Sequence, residues 1–74
     1  MPVLTDDEYN ELRPHIGHIR FVREVGQWTS TADHPVMAKI QQRISGEISN
    51  LGCSGCVNRL YGYINLYLDE YENR

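Results

Sequence analysis

Two cysteines and three histidines are the side chains of this chain best suited to bond-making chemistry. Their spacing narrows what that chemistry is. Cys53-Ser54-Gly55-Cys56 is a Cys-x-x-Cys turn, and that spacing serves three ends: two thiolates on one metal, a dithiol–disulfide pair, or two small packing residues. His15-Ile16-Gly17-His18 places two imidazoles three residues apart, so on a helix they share a face. A His-x-x-His turn opposite a Cys-x-x-Cys turn would complete a tetrahedral N₂S₂ site suited to zinc. Cys53, Cys56, His15 and His18 are therefore the candidate metal ligands, with zinc the one cofactor they would suit. Against them stands the plainer reading of two packed thiols and two half-buried histidines. Redox work is the weakest of the three, because a redox Cys-x-x-Cys normally follows a strand and the chain has no strand pattern. His34, beside Pro35, reads as a capping or surface residue.

Two other groups of side chains stand out. Tyr61, Tyr63, Tyr67 and Tyr71 crowd one stretch and Trp28 lies in a polar loop. Amphipathic aromatics of this kind are enriched at protein interfaces, which makes these five the candidate partner-binding residues. All the basic residues except Lys39 are arginines. Arg20, Arg23, Arg43 and Arg59 would form an anion-binding surface if they converged, and a solvated face if they did not. There is no nucleophile elbow, no phosphate loop and no pair of carboxylates set in an apolar face. The reading is therefore of a protein that is not an enzyme.

The elements that must position these groups are helical. Val57, Leu60, Ile64, Tyr67 and Tyr71 recur every three or four residues, which puts them with Cys53 on one face of a helix over 54–71. Thr5 with Glu8 three residues on makes a capping box, and Asp6 and Asp7 favour the positive end of the dipole. That opens a first helix over 5–25, kinked or broken near Pro14, with Gly26 as its C-cap. Asp33 or Thr31 can cap a helix over 34–51 carrying Met37, Ile40, Ile44, Ile48 and Leu51 on one face, with Gly46 in its interior. The chain is read as a single all-α domain over 1–74. It is a small bundle of three helices, or four if the first breaks at Pro14, with antiparallel neighbours because the connections are short. The acidic residues Asp69, Glu70 and Glu72 sit at the unfavourable end of the last helix, so that end should fray unless it is packed.

Composition limits the partners. At 74 residues, 41% hydrophobic and 23% charged, the chain is a folded domain near the lower size limit for a self-sufficient core. A net charge of −3 and a pI near 5.4 make nucleic acid an unlikely ligand, since such binding rests on neutralising phosphates. No stretch has membrane-spanning length, and no basic-then-apolar leader is visible, so no membrane role and no secretion are expected.

The run Asn50-Leu51-Gly52-Cys53-Ser54-Gly55-Cys56-Val57-Asn58-Arg59-Leu60 resembles a pattern in small, mostly uncharacterised helical proteins of tailed bacteriophages and prophages. Those chains also place a Cys-x-x-Cys at the start of the last helix. The resemblance implies a virion component or a host-takeover or anti-defence factor, located in the host cytoplasm or in the virion. Two functional expectations stand, the second resting on the cysteine, histidine and arginine positions and not on the resemblance. The first is a non-enzymatic phage-type interaction protein that self-associates or binds a protein partner through its aromatic last helix. The second is a zinc-stabilised nucleic-acid- or nucleotide-binding module.

Overall fold

The computed structural model describes residues 3–73. It is an all-α bundle of α1 (Asp6–Leu12), a 3₁₀ turn (Arg13–His15), α2 (Ile16–Val25), α3 (His34–Ser45) and α4 (Ser54–Glu72). No strand occurs among the described residues. The expected arm at the amino terminus begins with two residues outside that range.

Each boundary has a local cause. Thr5 caps α1 through its hydroxyl, and Glu8 returns the bond to the Thr5 backbone, which completes the capping box. Pro14 converts the first helix into two short ones through the 3₁₀ turn, because its ring removes one donor and crowds the preceding turn. Gly26 ends α2 in the left-handed region at φ 84° and returns its N–H to the Val22 carbonyl. Gly46 does the same for α3 at φ 78°, with its N–H on Gln42.

This last observation corrects the expected helix over 34–51. The glycine read as an interior residue is a C-cap, so Ile48 and Leu51 leave the helical face and become exposed in the connector 46–53. Cys53 occupies the N-cap of α4, and its sulfur accepts the Cys56 N–H at 3.2 Å.

α4 packs against both α2 and α3, while α1 packs on α3. A helix covered on two sides buries a wide stripe. Val57, Leu60, Tyr61, Ile64, Asn65, Leu68 and Tyr71 are all buried on α4. They meet Leu12, Ile19, Val22, Met37 and Ile40 in one core.

Directions differ between pairs. Glu11 with Lys39 and Glu8 with Arg43 set α1 antiparallel to α3. Contacts between α2 and α4 instead ascend together, from His18 on Tyr61 to Arg23 on Asp69. The same holds for α3 and α4, from His34 on Tyr61 to Gln41 on Tyr67. Here the expectation of antiparallel neighbours gives way. Connectors 26–33 and 46–53 are long enough, at about 3.3 Å per extended residue, to carry the chain back along the helix just completed.

The acidic end of α4 is packed. Arg20 reaches Asp69 and Glu72 at 2.7 Å each, and Arg23 reaches Asp69 at 2.9 Å. Glu70 accepts the Val3 N–H at 2.7 Å. Cations brought by α2 thus offset the unfavourable dipole at this end.

Candidate functional site

Two clusters of chemically capable side chains form in this fold, one buried and one open. The buried cluster is built on Asp33, 1% exposed at the N-cap position of α3. It was, with Thr31, one of two residues expected to cap this helix, but its side chain makes no capping bond. One carboxylate oxygen instead accepts from His18 Nδ1 at 2.7 Å, and the other accepts the Tyr61 hydroxyl at 2.9 Å. His18 Nε2 accepts the Thr29 backbone N–H at 3.1 Å, so a neutral His18 carries its proton on Nδ1. Tyr61, whose hydroxyl donates to Asp33, accepts at 3.0 Å from His34 Nε2. Trp28 lies over Tyr61 with ring centroids 5.8 Å apart and meets His34 edge-on at 5.4 Å. Burial, then the hydrogen bond and charge of Asp33, push the Tyr61 hydroxyl well above the ordinary tyrosine range.

An aspartate on a histidine beside a tyrosine has the parts of an acid–base site, but here most of those polar atoms are engaged with one another or with backbone. The nitrogen of His18 that would face a substrate is held by Thr29, and both Asp33 oxygens are engaged. No buried side-chain polar atom among the described residues lacks a partner. The carboxylate ties the start of α3 to α2 through His18 and to α4 through Tyr61, while His18 holds the connector through Thr29 and His34 holds Tyr61, which is an architectural task. Asn65 does the same between α2 and α4. It donates to the Ile19 and Tyr61 carbonyls and accepts from Arg20 at 3.0 Å.

The open cluster lies where connector 46–53 turns back along the first half of α4. Glu47, Ile48, Ser49 and Asn50 on one side and Cys56, Arg59, Leu60 and Tyr63 on the other line a groove. Ile48 is 83% exposed and Tyr63 is 39% exposed. Arg59 has no ion-pair partner among the described residues. Cys53 and Cys56 close the start of the groove as a disulfide with a Cα–Cα distance of 5.2 Å, within the ordinary range.

The expected site residues are distributed differently from the sequence reading. His15, half-buried in the 3₁₀ turn, and His18, bound to Asp33 and Thr29, do not meet Cys53 and Cys56. The cysteines are bonded to each other, and the described residues contain no group of three or more His, Cys, Asp or Glu able to hold a metal ion. The N₂S₂ geometry is therefore not formed.

The aromatic group divides too. Tyr61 and Tyr71 are core residues. Tyr71 donates its hydroxyl to Asp6 and stacks on Tyr9. Tyr67 is half-buried with its hydroxyl on Gln41, and Trp28 is half-buried over Tyr61. Tyr63 alone of the five is exposed.

The arginines do not converge either. Arg20 and Arg23 are spent on the end of α4, Arg43 on Glu8 at 2.7 Å and the Val3 carbonyl at 2.6 Å, and Arg59 stands apart in the groove. The buried cluster escaped the sequence reading because Asp33 and His34 look like ordinary helix-start residues. The available signal was Tyr61, four residues before Asn65 on a helix that must be covered from two sides.

Fold and groove together define a small all-α bundle with an open, partly apolar elbow between its last two helices. The chain matches no family model, and no curated protein and no solved structure matches it. No helix of the described residues is long and apolar enough to cross a membrane.

Proposed function

We propose that this chain is a non-enzymatic, phage-type interaction protein whose elbow groove takes a segment of a protein partner. The likeness of residues 50–60 to small phage and prophage proteins supplies the biological setting. The reading rests chiefly on one juxtaposition: an isoleucine exposed to 83%, an exposed tyrosine and an arginine with no ion-pair partner among the described residues share one groove. The groove thus presents apolar surface and a positive charge to water side by side. Leu66 at 63% adds apolar surface to the outward side of α4.

The chemistry of the groove selects its occupant. Ile48 and Tyr63 suit an aliphatic or aromatic side chain, and Arg59 suits a carboxylate in bidentate contact. The partner segment is thus apolar and acidic in alternation. A lone arginine is a poor basis for nucleic-acid binding, which needs several phosphates neutralised together.

Fluorescence anisotropy with labelled peptides tests this. One set pairs a Leu or Phe with a nearby Asp or Glu, and a matched set replaces the acid by Lys. Acidic peptides should bind, with affinity falling about tenfold or more in Arg59→Ala and in Ile48→Asp. Equal binding of both sets, or none of either, would overturn the reading. Light scattering supplies the remaining arm. A wild-type dimer made monomeric by Ile48→Asp would assign the groove to a second copy of this chain instead.

A further inference from the structure

We propose that Cys53 and Cys56 are a redox-active pair that exchanges with an external thiol–disulfide couple, the disulfide seen here being its oxidised form. The argument stands on the start of α4 and does not depend on what occupies the groove.

A structural disulfide stabilises by joining parts of the chain that would otherwise wander apart. This one joins residues three apart within a single turn. It ties α4 to no other element, and neither cysteine belongs to the buried core. Both sulfurs are on half-exposed residues, so an external thiolate can approach them. The bond is placed where it holds nothing distant and where it can be reached.

The surroundings favour the reduced form as well. Cys53 is the N-cap of α4, a 19-residue helix, where the aligned peptide dipoles and the free N–H groups stabilise negative charge. Its sulfur already accepts the Cys56 N–H at 3.2 Å, a bond that strengthens when the sulfur becomes a thiolate. No Asp or Glu lies in the first turn of α4 to oppose that charge, and Arg59 stands one turn further on. Cys53 is thus the attacking thiol of the reduced pair and Cys56 its resolving partner.

The exchange balances with an external thiol as reductant. A thiolate RS⁻ attacks Cys53 Sγ, the Cys53–Cys56 bond breaks, and its electron pair leaves on Cys56. That gives a mixed disulfide between R and Cys53. A second thiolate attacks the sulfur of R, releasing RSSR and leaving Cys53 as thiolate. Two external thiols are oxidised to one disulfide while the protein disulfide becomes a dithiol, and the two protons released by the thiols are available to the cysteines.

Glutathione is the probe. The full chain is equilibrated in buffers of reduced and oxidised glutathione, trapped by alkylation and weighed. Helicity is followed by circular dichroism. The expected result is complete, reversible conversion between the two forms without denaturant and with helicity kept. Single-thiol variants then separate the roles. Cys56→Ser, which leaves Cys53, should form its mixed disulfide with oxidised glutathione at neutral pH roughly tenfold faster than Cys53→Ser, which leaves Cys56. Conversion that needs denaturant, or loss of helicity on reduction of the wild-type chain, would make the bond a structural one and overturn the proposal. Equal rates for the two variants, each no faster than a denatured chain, would overturn it too.

Discussion

Asp33, His18, His34 and Tyr61 gather beneath the surface of the bundle, whereas Cys53, Cys56, Arg59 and Tyr63 gather along its elbow, and α4 contributes to both groups. The first group has the more suggestive residue types, the second the more ordinary ones. Geometry reverses that ranking. In the buried group each donor meets an acceptor inside the protein, so its hydrogen bonds are made within the fold. In the elbow an arginine has no ion-pair partner among the described residues and apolar side chains face water. Side-chain type says what a residue is able to do; unspent valence says whether it is free to do it. If this contrast is right, substitutions in the first region should cost stability and substitutions in the second should cost binding.

The largest effect is expected at Asp33. Asp33→Ala leaves His18 Nδ1 and the Tyr61 hydroxyl without their common acceptor. Removing one member of a buried network costs about 3–5 kcal/mol, a large share of what a domain this size possesses. Urea unfolding followed by circular dichroism measures it. A loss under about 1 kcal/mol would mean that water replaces the carboxylate and that the cluster is as open as the elbow.

Tyr61→Phe is the milder probe. It keeps the ring beneath Trp28 and removes only the hydroxyl between Asp33 and His34, for an expected loss of about 1–3 kcal/mol. The alkaline limb should change with it. The Tyr61 hydroxyl titrates above its ordinary value in the folded state. Its contribution is therefore fully present below the unfolded tyrosine value near ~10 and is lost as pH rises through the folded one. Tyr61→Phe should be less sensitive than the parent to pH above about 10, and an unchanged alkaline limb would contradict the burial of this hydroxyl.

Sequence patterns made the helices legible, together with the capping box at Thr5 and the C-cap at Gly26, because these depend on neighbours within a few residues. Three features were not legible. Gly46 is equally consistent with a helix interior and a helix end, and only the packing of connector 46–53 along α4 decides. The directions of α2 and α3 relative to α4 depend on how the connectors return, which local spacing does not encode. The pairings among Asp33, His18, His34 and Tyr61 span 15 to 28 residues of chain. No local rule links such positions. The arginines show the same limit. Their number was visible, but their assignment to Glu8, Asp69 and Glu72 was not.

A smaller loss is expected at Arg43, which lies between the two extremes because it is half exposed while its partner Glu8 is buried. Burial alone would raise the Glu8 carboxyl, but the hydrogen bonds from Arg43 and Thr5 outweigh it and hold the group below its ordinary value. A depressed carboxyl contributes stability above its unfolded value near ~4.3, and that contribution is lost as pH falls through the folded one. Arg43→Ala should lower stability at neutral pH by about 1 kcal/mol, since the arginine is largely solvated. It should also make the decline below about pH 4 shallower. A decline as steep as the parent's would assign the acid limb to Asp69, which Arg20 and Arg23 also hold low.

Ile48→Asp should have the smallest effect on folding. Its side chain is almost as exposed in the folded protein as in the unfolded chain, so folding buries little of it and a polar replacement forfeits little transfer free energy. The connector around it carries no core residue, and an exposed aspartate there meets no buried charge. Stability should stay within about 0.5 kcal/mol of the parent, while peptide binding in the elbow falls. A loss above about 1 kcal/mol would show that Ile48 shelters against α4 in solution. The elbow would then belong with the closed region and not with the open one.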